Sequence, residues 1–127
     1  MKHFLPILLA LPFLAGCTNR QTSQVTYQQI TQDAAKEMMD TQEVIVLDVR
    51  ESYEYEKSHI PGAVLLPVGT ISKDTAAIVI DDLDATLLVY CRSGNRSQTA
   101  SQALTDLGYT NVYEFGGIND WPYEIED

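Results

Sequence analysis

From residue 27 onward the chain alternates short apolar runs with polar stretches that carry apolar residues at helical spacing. Val44-Ile45-Val46-Leu47 and Leu87-Leu88-Val89-Tyr90 are unbroken and apolar, the pattern of strands buried on both faces of a parallel sheet. Val64 to Leu66 and Val112-Tyr113-Glu114-Phe115 read as further strands, and Tyr27 to Ile30 as a short one at the start. Helices are predicted between them. Thr31 is a good N-cap for a helix over Gln32 to Met39, with Ala34, Ala35, Met38 and Met39 as its core-facing stripe. Glu51 to Lys57 makes a brief polar helix, and Thr70 to Ile80 has helical spacing at Ile71, Ala76, Ala77 and Ile80. Asn95 to Leu107 turns Ala100, Ala103, Leu104 and Leu107 inward, with Gly108 as C-cap. Strands alternating with helices predict an α/β fold with a mainly parallel central sheet of about five strands, flanked by helices on both faces.

The first sixteen residues follow a different rule. Met1-Lys2-His3 is a short positive segment, and Phe4 to Ala15 is an uncharged apolar run of twelve residues interrupted by Pro6 and Pro12. Spanning ~30 Å of hydrocarbon needs ~20 residues, so the run reads as the apolar part of a secretory signal. Leu14-Ala15-Gly16-Cys17 resembles the lipobox of bacterial lipoprotein signal peptides. That resemblance implies removal of residues 1–16 and a diacylglyceryl thioether on Cys17 as the new N-terminus. Two or more acyl chains anchor stably where one exchanges. Residues 17–26 are then a polar tether carrying lipidated Cys17, and residues 27–127 one folded domain. The expected location is extracytoplasmic, lipid-anchored to a bacterial membrane. Thr18, standing where inner-membrane retention is associated with aspartate, favours the outer membrane where one exists.

Charge narrows the partners. The 127-residue chain has a formal net charge of -10, and loss of Lys2 with the leader makes it more acidic still. Nucleic acid is excluded as a partner, and so is electrostatic adsorption to anionic lipid. Hydrophobic residues at 45% and charged residues at 20% suit one ordinary globular domain, expected to work as a monomer. If lipid consumes Cys17, Cys91 is the only remaining cysteine. It then has no disulfide partner within the chain and no resolving thiol, which disfavours a thioredoxin-like role. His59 is the only histidine after the leader, so no metal site and no cofactor are expected.

The chemistry concentrates in Cys91-Arg92-Ser93-Gly94-Asn95-Arg96-Ser97, between a buried strand and a helix start. Successive backbone N–H groups there can curl around one point while the helix N-terminus faces it, which makes an anion hole. A thiolate at its centre is stabilised by these dipoles, by Arg96 and by Arg92, and needs no separate base. Gly94 permits a backbone conformation closed to residues with side chains. Cys91 and Arg96 are the candidate catalytic residues, and Arg92, Ser93, Gly94, Asn95 and Ser97 are the candidate substrate-binding ones. Sites in such sheets form beyond the carboxyl ends of the strands, where Asp48 also falls.

Leu47-Asp48-Val49-Arg50-Glu51, Tyr53-Glu54-Tyr55, His59-Ile60-Pro61-Gly62-Ala63, the Cys91 to Ser97 loop, Leu107-Gly108-Tyr109 and Gly116-Gly117 to Trp121 together resemble the single-domain rhodanese family over residues 27 to 123. Ser58 departs from it, since a glycine often precedes the His-Ile-Pro-Gly segment. The resemblance implies the rhodanese-like fold and a sulfurtransferase. In it the Cys91 thiolate takes the outer sulfur of thiosulfate or a similar donor, and the persulfide passes that sulfur to cyanide or a thiol. Arg96 would orient the donor and Arg92 would help capture it. Asp48 and Arg50 are implied as a salt-bridged brace under the loop, and His59 as a hydrogen-bonded turn residue. Trp121 and Tyr123 would close the core. Phosphatases and arsenate reductases of the same fold carry five residues between cysteine and arginine. Here four separate Cys91 from Arg96, and the loop holds no general acid for a leaving group. A persulfide carrier or protein-binding module with incidental turnover is the competing reading.

Overall fold

The computed structural model describes residues 26–127; the leader, the lipobox and Cys17 lie outside the described residues. Five strands, β1 (Gln28–Gln29), β2 (Ile45–Asp48), β3 (Val64–Leu65), β4 (Thr86–Cys91) and β5 (Asn111–Gly117), form one sheet in the order β1-β5-β4-β2-β3. All four pairings are parallel. The helices are α1 (Gln32–Thr41), α2 (Ser52–Lys57), α3 (Lys73–Val79) and α4 (Asn95–Asp106).

Successive side chains on a strand point to opposite faces, so a strand covered on both sides has to be apolar at every position. β2 and β4 meet that demand. Leu47, Leu87, Val89 and Cys91 face a cluster with Ala76 and Ile80, from α3 and just beyond its end, and with Ala100 and Leu104 of α4. Val46, Leu88 and Tyr90 face the opposite cluster, with Ala35 of α1, Ile60, Phe115 and Trp121. Each fully buried leucine contributes about 1.5–3 kcal/mol, and three of them, Leu47, Leu87 and Leu88, lie in the two central strands. Trp121 packs against Phe115 and Tyr123, and the Tyr123 hydroxyl bonds Asp33 of α1, so the C-terminal aromatics do close this face.

One helix starts later than its spacing predicts. Residues Val68–Thr70 form a 3-10 turn, and α3 begins at Lys73 behind an Ser72 cap. The Ser72 hydroxyl accepts the Thr75 N–H at 3.2 Å while Thr75 Oγ1 accepts the Ser72 N–H at 2.8 Å. That reciprocal capping box fixes the start three residues further along. The helix then turns Ala76 inward, whereas Ala77, expected inside, is exposed and Ile78 is 84% exposed.

At the carboxyl end of β2 the polar groups are buried and matched. Arg50 donates from Nε to Asp48 Oδ1 at 3.0 Å and from Nη2 to Asp48 Oδ2 at 2.7 Å, and its backbone N–H adds a third bond to Oδ1 at 3.0 Å. Tyr90 of β4 donates its hydroxyl to Asp48 Oδ2 at 2.7 Å and accepts the Ile60 N–H at 3.1 Å. Burial, and then the Asp48 carboxylate, push the Tyr90 phenol far above its ordinary range, so it stays a donor. Arg50 also reaches the Ser58 carbonyl at 2.7 Å. His59 stacks on Tyr55 with ring centroids 3.9 Å apart, and its Nδ1 lies 2.9 Å from the Tyr55 carbonyl oxygen. Backbone bonds between His59 and Glu126 tie down the C-terminus. Tyr90→Phe removes one donor from Asp48 and the acceptor of the Ile60 N–H, and it should lower unfolding free energy by about 1–3 kcal/mol in urea titration. An unchanged midpoint would show that water replaces both bonds.

Candidate active site

β4 ends on Cys91, where the register with β5 slips so that Cys91 lies opposite Gly117. The chain then turns sharply through Arg92, Ser93 and Gly94 into α4. Gly94 sits at φ +104°, in the left-handed region that favours glycine, and it is the N-cap of α4 with no side-chain cap. Its N–H donates to Cys91 Sγ at 3.0 Å. The first turn of α4 carries no acidic residue, so the positive end of the helix is left to act on the sulfur.

Two glycines of β5 make room for this turn. A Cβ on Gly117 would stand 2.0 Å from the Arg92 carbonyl oxygen, and a Cβ on Gly94 would touch the Gly116 Cα at 3.5 Å. The Arg92 carbonyl accepts the Asn119 N–H at 3.1 Å. Gln98 donates to the Gly94 carbonyl at 2.9 Å, and Gln32 of α1 donates to the Gly117 carbonyl at 2.8 Å. Loop and strand end are therefore locked together.

The seven loop residues divide by depth. Cys91 is 0% exposed, so a donor reaches its sulfur only with a local shift of the turn above it. Gly94 and Ser97 are buried beside it, whereas the side chains of Arg92, Ser93 and Asn95 are exposed. The Cys91 thiol donates to Ser97 Oγ at 3.3 Å, and the Ser97 hydroxyl donates to Glu114 Oε1 at 2.6 Å. Arg96 is held in a two-pronged pair with Glu54 of α2, at 2.6 and 3.0 Å. The hydrogen bonds from Arg96, opposed by burial, bring the Glu54 carboxyl down to about 2. To engage a donor, Arg96 has to share or release that partner. Asp48 and Arg50 form the buried brace described above, one register step from Cys91.

A groove of about 330 Å³ opens beside the loop, lined by Arg50, Tyr53, Glu54, Lys57, Ser58, Arg92, Ile118 and Asn119. Of the six lysines and arginines among the described residues, Arg50, Lys57 and Arg92 face this groove and Arg96 stands next to it. A second groove of about 360 Å³, at the amino ends of β2 and β4, is lined by Glu43, Asp81, Asp82 and Asp84. Its sign is wrong for an anionic substrate, and it is remote from Cys91.

A model of the rhodanese-like domain matches residues 31–123. The chain belongs to the rhodanese-like family. The rhodanese-like chain is 35% identical over 74 residues to the thiosulfate sulfurtransferase PspE of Escherichia coli (strain K12), covering 58% of this chain and 70% of that one. It is 35% identical over 100 residues to the "Putative sulfur carrier protein YrkF" of Bacillus subtilis (strain 168), covering 77% of this chain and 52% of YrkF. The chain thus spans about half the length of that relative. A solved structure described as "rhodanese with anions from E. coli" superposes with a TM-score of 0.62 at 30% identity, over 67% of this chain and 99% of the other.

Sequence reasoning assigned no role to Glu54 or to Glu114. Glu54 carries no signal of its own, because its partner is brought from α4 by the fold. Glu114 does carry one: it is a charged residue inside an apolar strand run, at a position buried in the structure. The Glu54–Arg96 pair has a consequence for stability. The folded carboxyl lies near 2, below its ordinary 4.5, so the pair stabilises the fold above the ordinary value and loses that contribution as pH falls through 2. The stability gap between wild type and Glu54→Gln should be open at neutral pH and close between 4.5 and about 2 in acid unfolding. A gap constant across that window would assign the loss to packing.

Proposed function

We propose that this rhodanese-like domain is a thiosulfate-type sulfurtransferase that carries a sulfane sulfur on Cys91. The observation that carries the reading is the cysteine itself: Sγ lies 3.0 Å from the Gly94 N–H, at the amino end of α4. In the first step the Cys91 thiolate attacks the outer sulfur of the donor. The donor's sulfur–sulfur bond breaks, sulfite leaves with the bonding pair, and a persulfide remains on Cys91. In the second, cyanide or a thiolate attacks the terminal sulfur and the Cys91 thiolate is regenerated. The Gly94 N–H and the helix end suit the negative sulfur at both stages, and Arg92 and Lys57 at the groove favour an anionic donor on an otherwise acidic protein. Four residues between Cys91 and Arg96 support sulfur over a phosphate or arsenate. The naming of PspE as a thiosulfate sulfurtransferase supports the same assignment.

A second reading, sulfur carriage with slow release, draws on the complete burial of Cys91 and on the carrier role in the name of YrkF. Supplied with thiosulfate and cyanide, the protein should form thiocyanate, and Cys91→Ser should form none. Equal production by the two proteins, or none by the wild type, overturns the enzymatic reading. A carrier would instead show a one-sulfur adduct on Cys91 by mass spectrometry with little turnover.

The lipobox resemblance supports a domain held outside the cytoplasm by lipid on Cys17, on the outer membrane where the host has one. Cys17→Ser should move the protein from the membrane fraction to the soluble one; continued sedimentation with membranes would remove the anchor from the proposal.

A further inference from the structure

Glu114 is a buried carboxylate that the sulfur-transfer steps leave unused. It is 4% exposed and, among the described residues, forms no ion pair. Its partners are neutral donors: the Ser97 hydroxyl at 2.6 Å and the Gly116 N–H at 2.8 Å on Oε1, and Gln29 Nε2 at 3.3 Å on Oε2. A carboxylate buried without a cation depends on such donors to offset its desolvation. A glutamine offers the same carbonyl acceptor to Ser97 and Gly116, with the Gln29 amide turned over to accept from the new N–H.

Proton bookkeeping links this group to the nucleophile. The Ser97 hydroxyl has one hydrogen to give. With Cys91 as the thiol, S–H donates to Ser97 Oγ and the Ser97 hydrogen goes to Glu114, so every bond in the chain is made. With Cys91 as the thiolate, the sulfur keeps the Gly94 N–H and gains a second donor if Ser97 turns its hydrogen toward it. Ser97 Oγ then faces Glu114 Oε1 at 2.6 Å with nothing between them unless Glu114 carries a proton. The three side chains therefore have two self-consistent arrangements, and one negative charge moves between their ends.

We propose that Glu114 takes up the Cys91 thiol proton through Ser97. The sulfur–hydrogen bond breaks as the proton passes to Ser97 Oγ, the Ser97 proton passes to Glu114 Oε1, and the thiolate is left bonded to Ser97 and the Gly94 N–H. Ser97 touches the reacting sulfur. Glu114 acts through it and is a positioning residue. The relay rests on Cys91 being the sulfur-transfer nucleophile, but it is stated for the thiol alone. The other charged groups around the sulfur are Arg96 of α4 with Glu54 of α2, the Asp48–Arg50 pair at the end of β2, and Arg92 of the loop. All but Arg92 are matched by a partner of opposite sign.

The test is the pH dependence of Cys91 alkylation by iodoacetamide in the full chain, followed by mass spectrometry of the Cys91 peptide. Glu114→Gln keeps an acceptor for Ser97 and Gly116 but cannot hold the proton. Its alkylation at neutral pH should slow by roughly tenfold, with the midpoint of the profile about one unit higher. Ser97→Ala should give the same change, the double variant should be no slower than either single one, and Ser97→Thr should restore the rate. A folded Glu114→Gln variant with the wild-type profile overturns the relay and leaves Glu114 a structural acceptor. Should that variant fail to fold by circular dichroism, an unchanged profile in Ser97→Ala overturns it equally. Alkylation needs no sulfur donor, so absence of thiocyanate from the wild type would count against the sulfurtransferase reading alone.

Discussion

The close approach of the Cys91 turn to the end of β5 is the contact on which the rest of the site depends. The Arg92 carbonyl oxygen occupies the space where a side chain on Gly117 would begin, 2.0 Å from where its Cβ would stand, and no ordinary residue fits there. Because β5 ends in Gly116 and Gly117, the turn lies down on the strand, Gly94 adopts its left-handed conformation, and α4 starts with its positive end on the sulfur. Glu114, two residues before Gly116, is brought by the same approach within reach of Ser97. The Cys91 turn, the strand end and the Ser97–Glu114 bond are one piece of geometry.

Below that surface the charges are arranged economically. A chain of net charge -10 repels anions as a whole, yet most of its described cations gather at one groove beside the loop. Arg50 is fully committed to Asp48 and the Ser58 carbonyl, with Tyr90 completing the Asp48 shell. Buried pairs of this kind add little net stability against an apolar substitute, but removal of one partner is costly, which makes this one a device for holding β2, β4 and the Ser58–Ile60 turn in fixed relation. Arg96 is bound to Glu54 at the surface. The positive charge near the sulfur is therefore partly reserved, while Arg92 and Lys57 line the groove without a salt bridge among the described residues.

Much of this could be read along the chain. Continuous apolar runs at Val44 to Leu47 and Leu87 to Tyr90 determined two central parallel strands, because only a strand covered on both faces needs every position apolar. Helical spacing and caps located α1 and α4 to within two residues, and Cys-Arg-Ser-Gly-Asn-Arg-Ser between strand and helix located the turn whose Gly94 N–H meets the Cys91 sulfur. α3 starts later than its spacing predicts, since the Ser72–Thr75 capping box competes locally with a pattern that periodicity reads over a longer window.

What the tertiary structure alone decided are the partnerships across distant segments. Glu54 and Arg96 are 42 positions apart, as are Asp48 and Tyr90, and Ser97 and Glu114 are 17 apart. No local propensity encodes which carboxylate an arginine or a hydroxyl will meet. That depends on strand order, and here the order β5-β4-β2 sets the ends of three strands side by side. The sequence by itself determined the layers and the loop that carries Cys91; the packing of strand ends decided that Arg96 is held by α2 and that Cys91 is joined through Ser97 to a buried glutamate.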